Sequence, residues 1–215
     1  NNTYPVILVP GFFGFSREDI EGFYYWGGFS DIESAMRASG YSIYSGTCGP
    51  VSSVWDRACE LYACIKGGTT DYGEAHSTRY GHARYGRTFP GLYPQWGDVD
   101  PSSGRVNKVH LVGHSLGGNT ARMLVHLLAQ GSEEELSASS DASFVSPLFT
   151  GGKNWVCGLL TIVAPHDGTT LMYHPDSIAP SLERILHITT RAERLGFKAS
   201  IDFMLVIIKF LSESF

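Results

Sequence analysis

The chain has no C-x-x-C pair. Its four cysteines are Cys48, Cys59, Cys64 and Cys157, which leaves no thiol-paired metal or redox motif. Cys59 and Cys64 fall on what reads as one helix, at a spacing that points them apart, and all four read as free, mostly buried thiols. Long apolar runs are also missing. The nearest, Phe203 to Leu211, is interrupted by Lys209 and is far shorter than the ~20 residues a spanning helix needs. Charge is sparse, at 17% of residues with a net charge of −5, and no Lys/Arg block exists. A nucleic-acid surface is therefore not expected. No internal repeat is visible. No initiator Met or signal peptide precedes the first apolar run, so a start at Asn1-Asn2-Thr3 predicts a processed chain or a fragment. What the chain does have is glycine, 25 of 215 residues, and 13% aromatics. Tight turns, close backbone approaches and a bulky core or apolar substrate follow from these.

Strand and helix patterns alternate along the first three quarters. Pro5 to Val9 is a continuous apolar run closed by Pro10-Gly11, which predicts a strand buried on both faces. Asp31 to Ser39 has helical spacing and stops at Gly40. Tyr41 to Tyr44 reads as a strand, and Ser53 to Lys66 as a helix closed by Gly67-Gly68. Residues 67–106 form a polar, glycine-rich stretch too long for a structureless loop, which predicts an anchor of its own. Val109 to Val112 reads as a strand and Asn119 to Leu128 as an amphipathic helix. Gly131 to Asn154 reads as surface loop, and Gly158 to Val163 as a fourth strand. This alternation implies βαβ units and a mostly parallel sheet flanked by helices, in the α/β class. Ser177 to Arg194 and Ile201 to Leu211 read as two further helices.

The strongest local signal is Gly113-His114-Ser115-Leu116-Gly117. Gly-x-Ser-x-Gly is common by chance, but here an apolar strand precedes it and a periodic helix follows. That is the strand–turn–helix context of a nucleophile elbow, with Ser115 as the nucleophile. Two backbone N–H groups would form the oxyanion hole: Leu116, after the serine, and Phe12, in the loop after the first strand. The alternative for Pro10-Gly11-Phe12 is a plain turn.

Several segments together resemble one family. They are Pro10-Gly11-Phe12-Phe13-Gly14, Tyr25-Trp26-Gly27-Gly28, Gly49 to Glu60, Gly67 to Gly73, Tyr80 to Arg87, the elbow, and Ala164 to Thr170. The chain resembles the large secreted triacylglycerol lipases of the thermophilic bacillus and staphylococcal type, α/β-hydrolases, over about residues 4–172. The resemblance implies hydrolysis of long-chain acylglycerol esters at a lipid interface, secretion, and a lid in 173–215. Two positions depart from the family pattern, Pro10 where a histidine is usual and Leu116 where a glutamine is usual. Both expected oxyanion donors are main-chain groups and survive these changes.

The family's acid and base follow its lid. The histidines after Ser115 are His126, His166, His174 and His187. His126 falls on the elbow helix, and His166 adjoins Asp167 too closely for a relay. His187 follows Asp176 in the right order but sits in the lid-like stretch. The expectation is that acid and base lie beyond Phe215 and that the fold is a partial α/β-hydrolase. Its core would span 1–172, with the insertion at 67–106 and a lid-like segment at 173–215.

Asp56, His76 and His82 offer a carboxylate and two imidazoles, a donor set that suits tetrahedral zinc. The alternatives are a capping-box role for Asp56 after Ser53 and solvated loop positions for the histidines. The resemblance implies that these three bind a structural zinc anchoring the insertion. The family can also hold calcium, with no site for it in this chain. Two rival readings stay open: another acyl hydrolase, such as an esterase or phospholipase, and a lipid- or partner-binding module lacking acid and base.

Overall fold

The computed structural model describes residues 4–139 and 145–168. The chain divides into two units, Asn1–His166 and Asp167–Phe215, and the described residues fall almost wholly in the first. The expected helices at Ser177–Arg194 and Ile201–Leu211 lie outside the described residues, as do the lid-like segment 173–215, His174, Asp176 and His187.

Four strands form one wholly parallel sheet in the order β2-β1-β5-β6. They are β1 Val6–Val9, β2 Ile43–Ser45, β5 Val109–His114 and β6 Val156–Ile162. Ile7, Leu8 and Val9 on β1 are buried in succession, as a central parallel strand covered on both faces requires. Its neighbours lie in the registers Leu8–Ser45 and Leu8–Val112.

Helices connect the strands. α1 Ile32–Ala38 is capped by Asp31, whose carboxylate accepts from the Ser34 N–H. α2 Val54–Lys66 is capped by Ser53, which accepts from the Asp56 N–H. α4 Leu116–Gln130 starts directly after Ser115, three residues earlier than its periodicity predicts. Gly117 and Gly118 are poor helix formers and hide the true start; tertiary contacts hold them helical. α2 and α4 pack on each other, and α4 lies against β1, β5 and β6. Leu61, Ile65, Leu124, Leu127 and Leu128 meet Trp96 and Leu111 in the core. Each fully buried leucine there contributes roughly 1.5–3 kcal/mol.

The long stretch 67–106 has its own architecture. β3 Gly68–Asp71 and β4 Tyr85–Phe89 form a separate antiparallel pair around α3 Glu74–Tyr80. Arg84 forks onto Asp71 and also reaches Glu74. Trp96, beyond the pair, is completely buried and donates to the Trp155 carbonyl.

Gly131 to Asn154 is not the surface loop expected. Its described part holds α5 Glu133–Ala138 and a 3-10 turn, Pro147–Thr150. Leu148 and Phe149 of that turn enter the core. Two adjacent apolar residues in a polar segment show no periodicity, so burial here comes from tertiary packing alone. The second strand also shifts, because Tyr41 is exposed while Ile43 is buried. Cys48, Cys59 and Cys64 are buried free thiols, and Cys157 is exposed on β6.

Candidate active site

Ser115 stands between the end of β5 and the start of α4, with φ 53° and ψ −131°. A non-glycine residue rarely adopts such a backbone, and holding it there costs on the order of 1–3 kcal/mol. The surroundings enforce it. The Ser115 N–H donates to the Ile162 carbonyl of β6, and its carbonyl accepts from the Gly118 N–H.

The two glycines of the motif are needed for contact. A Cβ on Gly113 would come within 2.6 Å of the Gly117 carbonyl carbon and the Gly118 Cα. One on Gly117 would sit 2.2 Å from the Val9 carbonyl oxygen and 2.6 Å from that of Pro10. The elbow therefore lies directly on the loop leaving β1. Gly11 in that loop approaches Ser115 itself: a Cβ there would be 2.9 Å from the Ser115 Cβ. Phe12 follows Gly11 in that loop, and Leu116 follows the serine at the start of α4. Among the described residues, no acceptor takes the N–H of either. The N-terminus of α4 also aims its partial positive charge at this point.

Two residues that the sequence did not single out hold the loop. Arg57 is completely buried. Its Nη2 donates to the Pro10 carbonyl at 2.5 Å and to the Gly11 carbonyl at 3.2 Å. Its Nη1 donates to the Gly49 carbonyl, and its Nε to Thr120 Oγ1 at 2.9 Å on α4. Tyr25 takes the Gly11 N–H on its hydroxyl oxygen at 2.8 Å, leaving its own proton for His114 Nδ1 at 2.7 Å. Burial pushes the Tyr25 phenol above its ordinary range, opposed by the Gly11 N–H and the charge of Arg57.

No described histidine is hydrogen-bonded to the Ser115 hydroxyl. His114 Nδ1 is engaged by Tyr25, and His166 Nε2 lies 3.1 Å from Thr161 Oγ1. His126 is exposed on α4.

Asp56, His76 and His82 come together, each offering one ligand atom within 4.8 Å of the others. Asp56 stands in the first turn of α2, His76 on α3, and His82 just past its end. Asp56 Oδ1 is 3.0 Å from His76 Nε2 and 3.8 Å from His82 Nε2. Its other oxygen accepts from the Ser53 hydroxyl at 2.8 Å. The helix cap here is Ser53, whose hydroxyl oxygen accepts from the Asp56 N–H and whose proton goes to the Asp56 carboxylate. That carboxylate therefore closes no capping box and keeps Oδ1 for the two imidazoles. His82 Nδ1 donates to the Ala83 carbonyl at 2.9 Å, which leaves Nε2 with a free lone pair toward the cluster. The His76 ring stacks on Trp55, 5.1 Å away at 14°. Glu135 on α5, completely missed in the sequence, accepts from the N–H groups of Ala75 and His76 and fixes the start of α3.

Set beside known proteins, residues 2–196 match the family described as lipase-like, C-terminal domain. The chain belongs to that family. It is 43% identical over 174 residues to Lipase 2 of Staphylococcus aureus, an alignment covering 78% of this chain and 24% of that protein. A lipase of Staphylococcus epidermidis is 44% identical over the same length. Among solved structures, lipase 1 from Pelosinus fermentans is 56% identical, with a TM-score of 0.77, over 83% of this chain and 45% of that one. Staphylococcus hyicus lipase is 38% identical, with a TM-score of 0.72, over 91% and 50%. The chain spans about a quarter of the length of the curated relatives it matches. The resemblance to staphylococcal lipases, and the mostly parallel sheet flanked by helices, are both borne out.

Proposed function

We propose that this chain carries the nucleophile half of a secreted triacylglycerol lipase, a serine hydrolase acting on long-chain acylglycerol esters at a lipid interface. Ser115 is the nucleophile. Its hydroxyl oxygen attacks the ester carbonyl, the carbonyl oxygen takes up negative charge, and the Phe12 and Leu116 N–H groups receive it. A general base takes the serine proton in the attack. Collapse breaks the bond to the alcohol oxygen, which receives that proton as it leaves. The acyl group left on Ser115 is released as a carboxylic acid when water, deprotonated by the same base, attacks it. The observation that carries the reading is the strained backbone of Ser115 at the β5–α4 junction, with both glycines in contact with the β1 loop. The lipase names of the relatives supply the substrate class.

Asp56, His76 and His82 fit a structural zinc: one carboxylate oxygen and two imidazole nitrogens converge, and the His82 tautomer presents Nε2. Bound there, zinc would tie α2 to the insertion and take no part in bond breaking. Among the described residues, no helix is long and apolar enough to cross a membrane.

The test is Ser115→Ala in the full-length protein, assayed on triolein emulsion and on a dissolved short-chain ester. Loss of at least roughly a thousandfold in kcat on both, with the fold intact, is expected from removing a triad nucleophile. Turnover near the unmodified rate would refute the assignment. A preference for the dissolved ester would turn the substrate reading toward an esterase.

A further inference from the structure

We propose that Arg57 is a positioning residue for the oxyanion hole, and that its guanidinium strengthens the Phe12 N–H as a donor. This rests on the reading of Phe12 as an oxyanion donor.

The Gly11 carbonyl and the Phe12 N–H are two ends of one peptide group. Arg57 Nη2 donates to that carbonyl at 3.2 Å, and the Gly14 N–H donates to it at 3.1 Å. A cation bonded to a carbonyl oxygen favours the resonance form with negative charge on oxygen and positive charge on nitrogen. The opposite N–H becomes a stronger donor as a result. The same nitrogen donates to the Pro10 carbonyl at 2.5 Å. The preceding peptide, whose N–H goes to the Tyr25 hydroxyl, is thus polarised in the same sense.

Position adds to polarisation. Arg57 Nε reaches Thr120 Oγ1, and that hydroxyl donates to the Leu116 carbonyl at 3.0 Å. One side chain therefore links the Phe12 loop to the helical turn that begins with Leu116. Across the loop, the Phe13 N–H donates to the Pro50 carbonyl at 2.9 Å while Arg57 Nη1 holds the Gly49 carbonyl. The planar fork of arginine suits this many acceptors, and a lysine ammonium would hold fewer. A buried cation is normally paired with an acid. Arg57 is completely buried, yet among the described residues it makes no ion pair within 4.0 Å. Its charge is bonded to main-chain carbonyls, and two of those belong to the oxyanion loop.

The test uses the full-length protein with Arg57→Met and Arg57→Lys, and two readouts. Active sites are first counted by a serine-directed phosphonate, so that misfolded protein does not contribute. Expected in Arg57→Met is a fall in kcat per titrated site of roughly 10- to 100-fold, approaching the loss of an oxyanion donor. KM should stay within about twofold, because the interaction matters only once charge develops. Arg57→Lys should recover part of the rate. The second readout is the amide proton of 15N-labelled Phe12, followed by NMR as an alkylboronic acid adds to Ser115. It should move downfield in the unmodified protein, and by less in Arg57→Lys. An unchanged kcat per site in either variant, or an equal shift with lysine, would overturn the proposal. If Arg57→Met does not fold, Arg57→Lys decides on both readouts. No response of Phe12 in the unmodified protein would instead remove Phe12 as a donor, a separate result from failure of the Arg57 idea.

Discussion

Gly117→Ala should damage this protein far more than a glycine substitution in an open turn. The added Cβ would sit 2.2 Å from the Val9 carbonyl oxygen and 2.6 Å from that of Pro10. Both obstacles are main chain, so neither can rotate away; β1 or the start of α4 must move. Overpacking of this kind costs about 1–3 kcal/mol where side chains yield, and here the upper end, about 3 kcal/mol, is the working figure. For a domain of this size each kcal/mol lowers Tm by about 2–4 °C, giving a fall of roughly 6–12 °C. Gly104→Ala is the control. Nothing lies within 4 Å of its Cβ, and its φ of +66° is the only obstacle, for about 1–2 kcal/mol. Differential scanning calorimetry of both variants gives the comparison. Activity gives a second check, since any relaxation at Gly117 pushes the Pro10–Phe12 loop away from Leu116 and lowers kcat. Equal Tm losses for the two variants, with full activity in Gly117→Ala, would refute the claim that the elbow rests directly on the β1 loop.

If Asp56, His76 and His82 hold zinc as proposed, zinc co-purifies at about one per protein, and chelation lowers Tm by roughly 5–10 °C before it lowers kcat at room temperature. Elemental analysis finding no zinc in gently purified protein would dismiss it. Asp31 is held well below the usual carboxylate range, chiefly by its hydrogen bonds from Arg17, with the Ser34 N–H adding to them. A depressed folded-state pKa contributes stability above the unfolded value, near ~3.9, and loses it as pH falls toward the folded value. Asp31→Asn keeps a cap but removes the charge. It should therefore cost at most about 1 kcal/mol at pH 7, given the solvent around the pair. That difference should shrink below about pH 4; a pH-independent gap in Tm would contradict it.

What the sequence made legible was local. The elbow is five consecutive residues between a strand and a helix, and both flanks carry their own periodicity, so Ser115 could be read without a fold. Asp56, His76 and His82 were harder. Asp56 sits three residues after Ser53, a capping spacing, and the structure uses its main-chain N–H for the Ser53 cap while its carboxylate faces the two imidazoles. Spacing alone could not separate a residue that offers its main-chain N–H to a cap from one that offers its carboxylate to a cluster, because Asp56 does both with different groups. Arg57 was unreadable in principle. Its partners Pro10, Gly49 and Thr120 lie on three separate segments, and a buried arginine without an acid has no sequence pattern. Leu148 and Phe149 were missed for a related reason, since a single buried turn carries no period. The early start of α4 was masked by Gly117 and Gly118, whose low helix propensity is overridden by the contacts that require them to be glycine.

The claim that Ser115 is the nucleophile is tested most directly by covalent labelling. The full-length protein would be treated with a long-chain alkyl phosphonate, digested, and the adduct located by mass spectrometry. One phosphonyl group on the peptide containing Ser115, and none after Ser115→Ala, is the predicted result. An adduct on any other residue, or undiminished labelling of the alanine variant, would contradict the account.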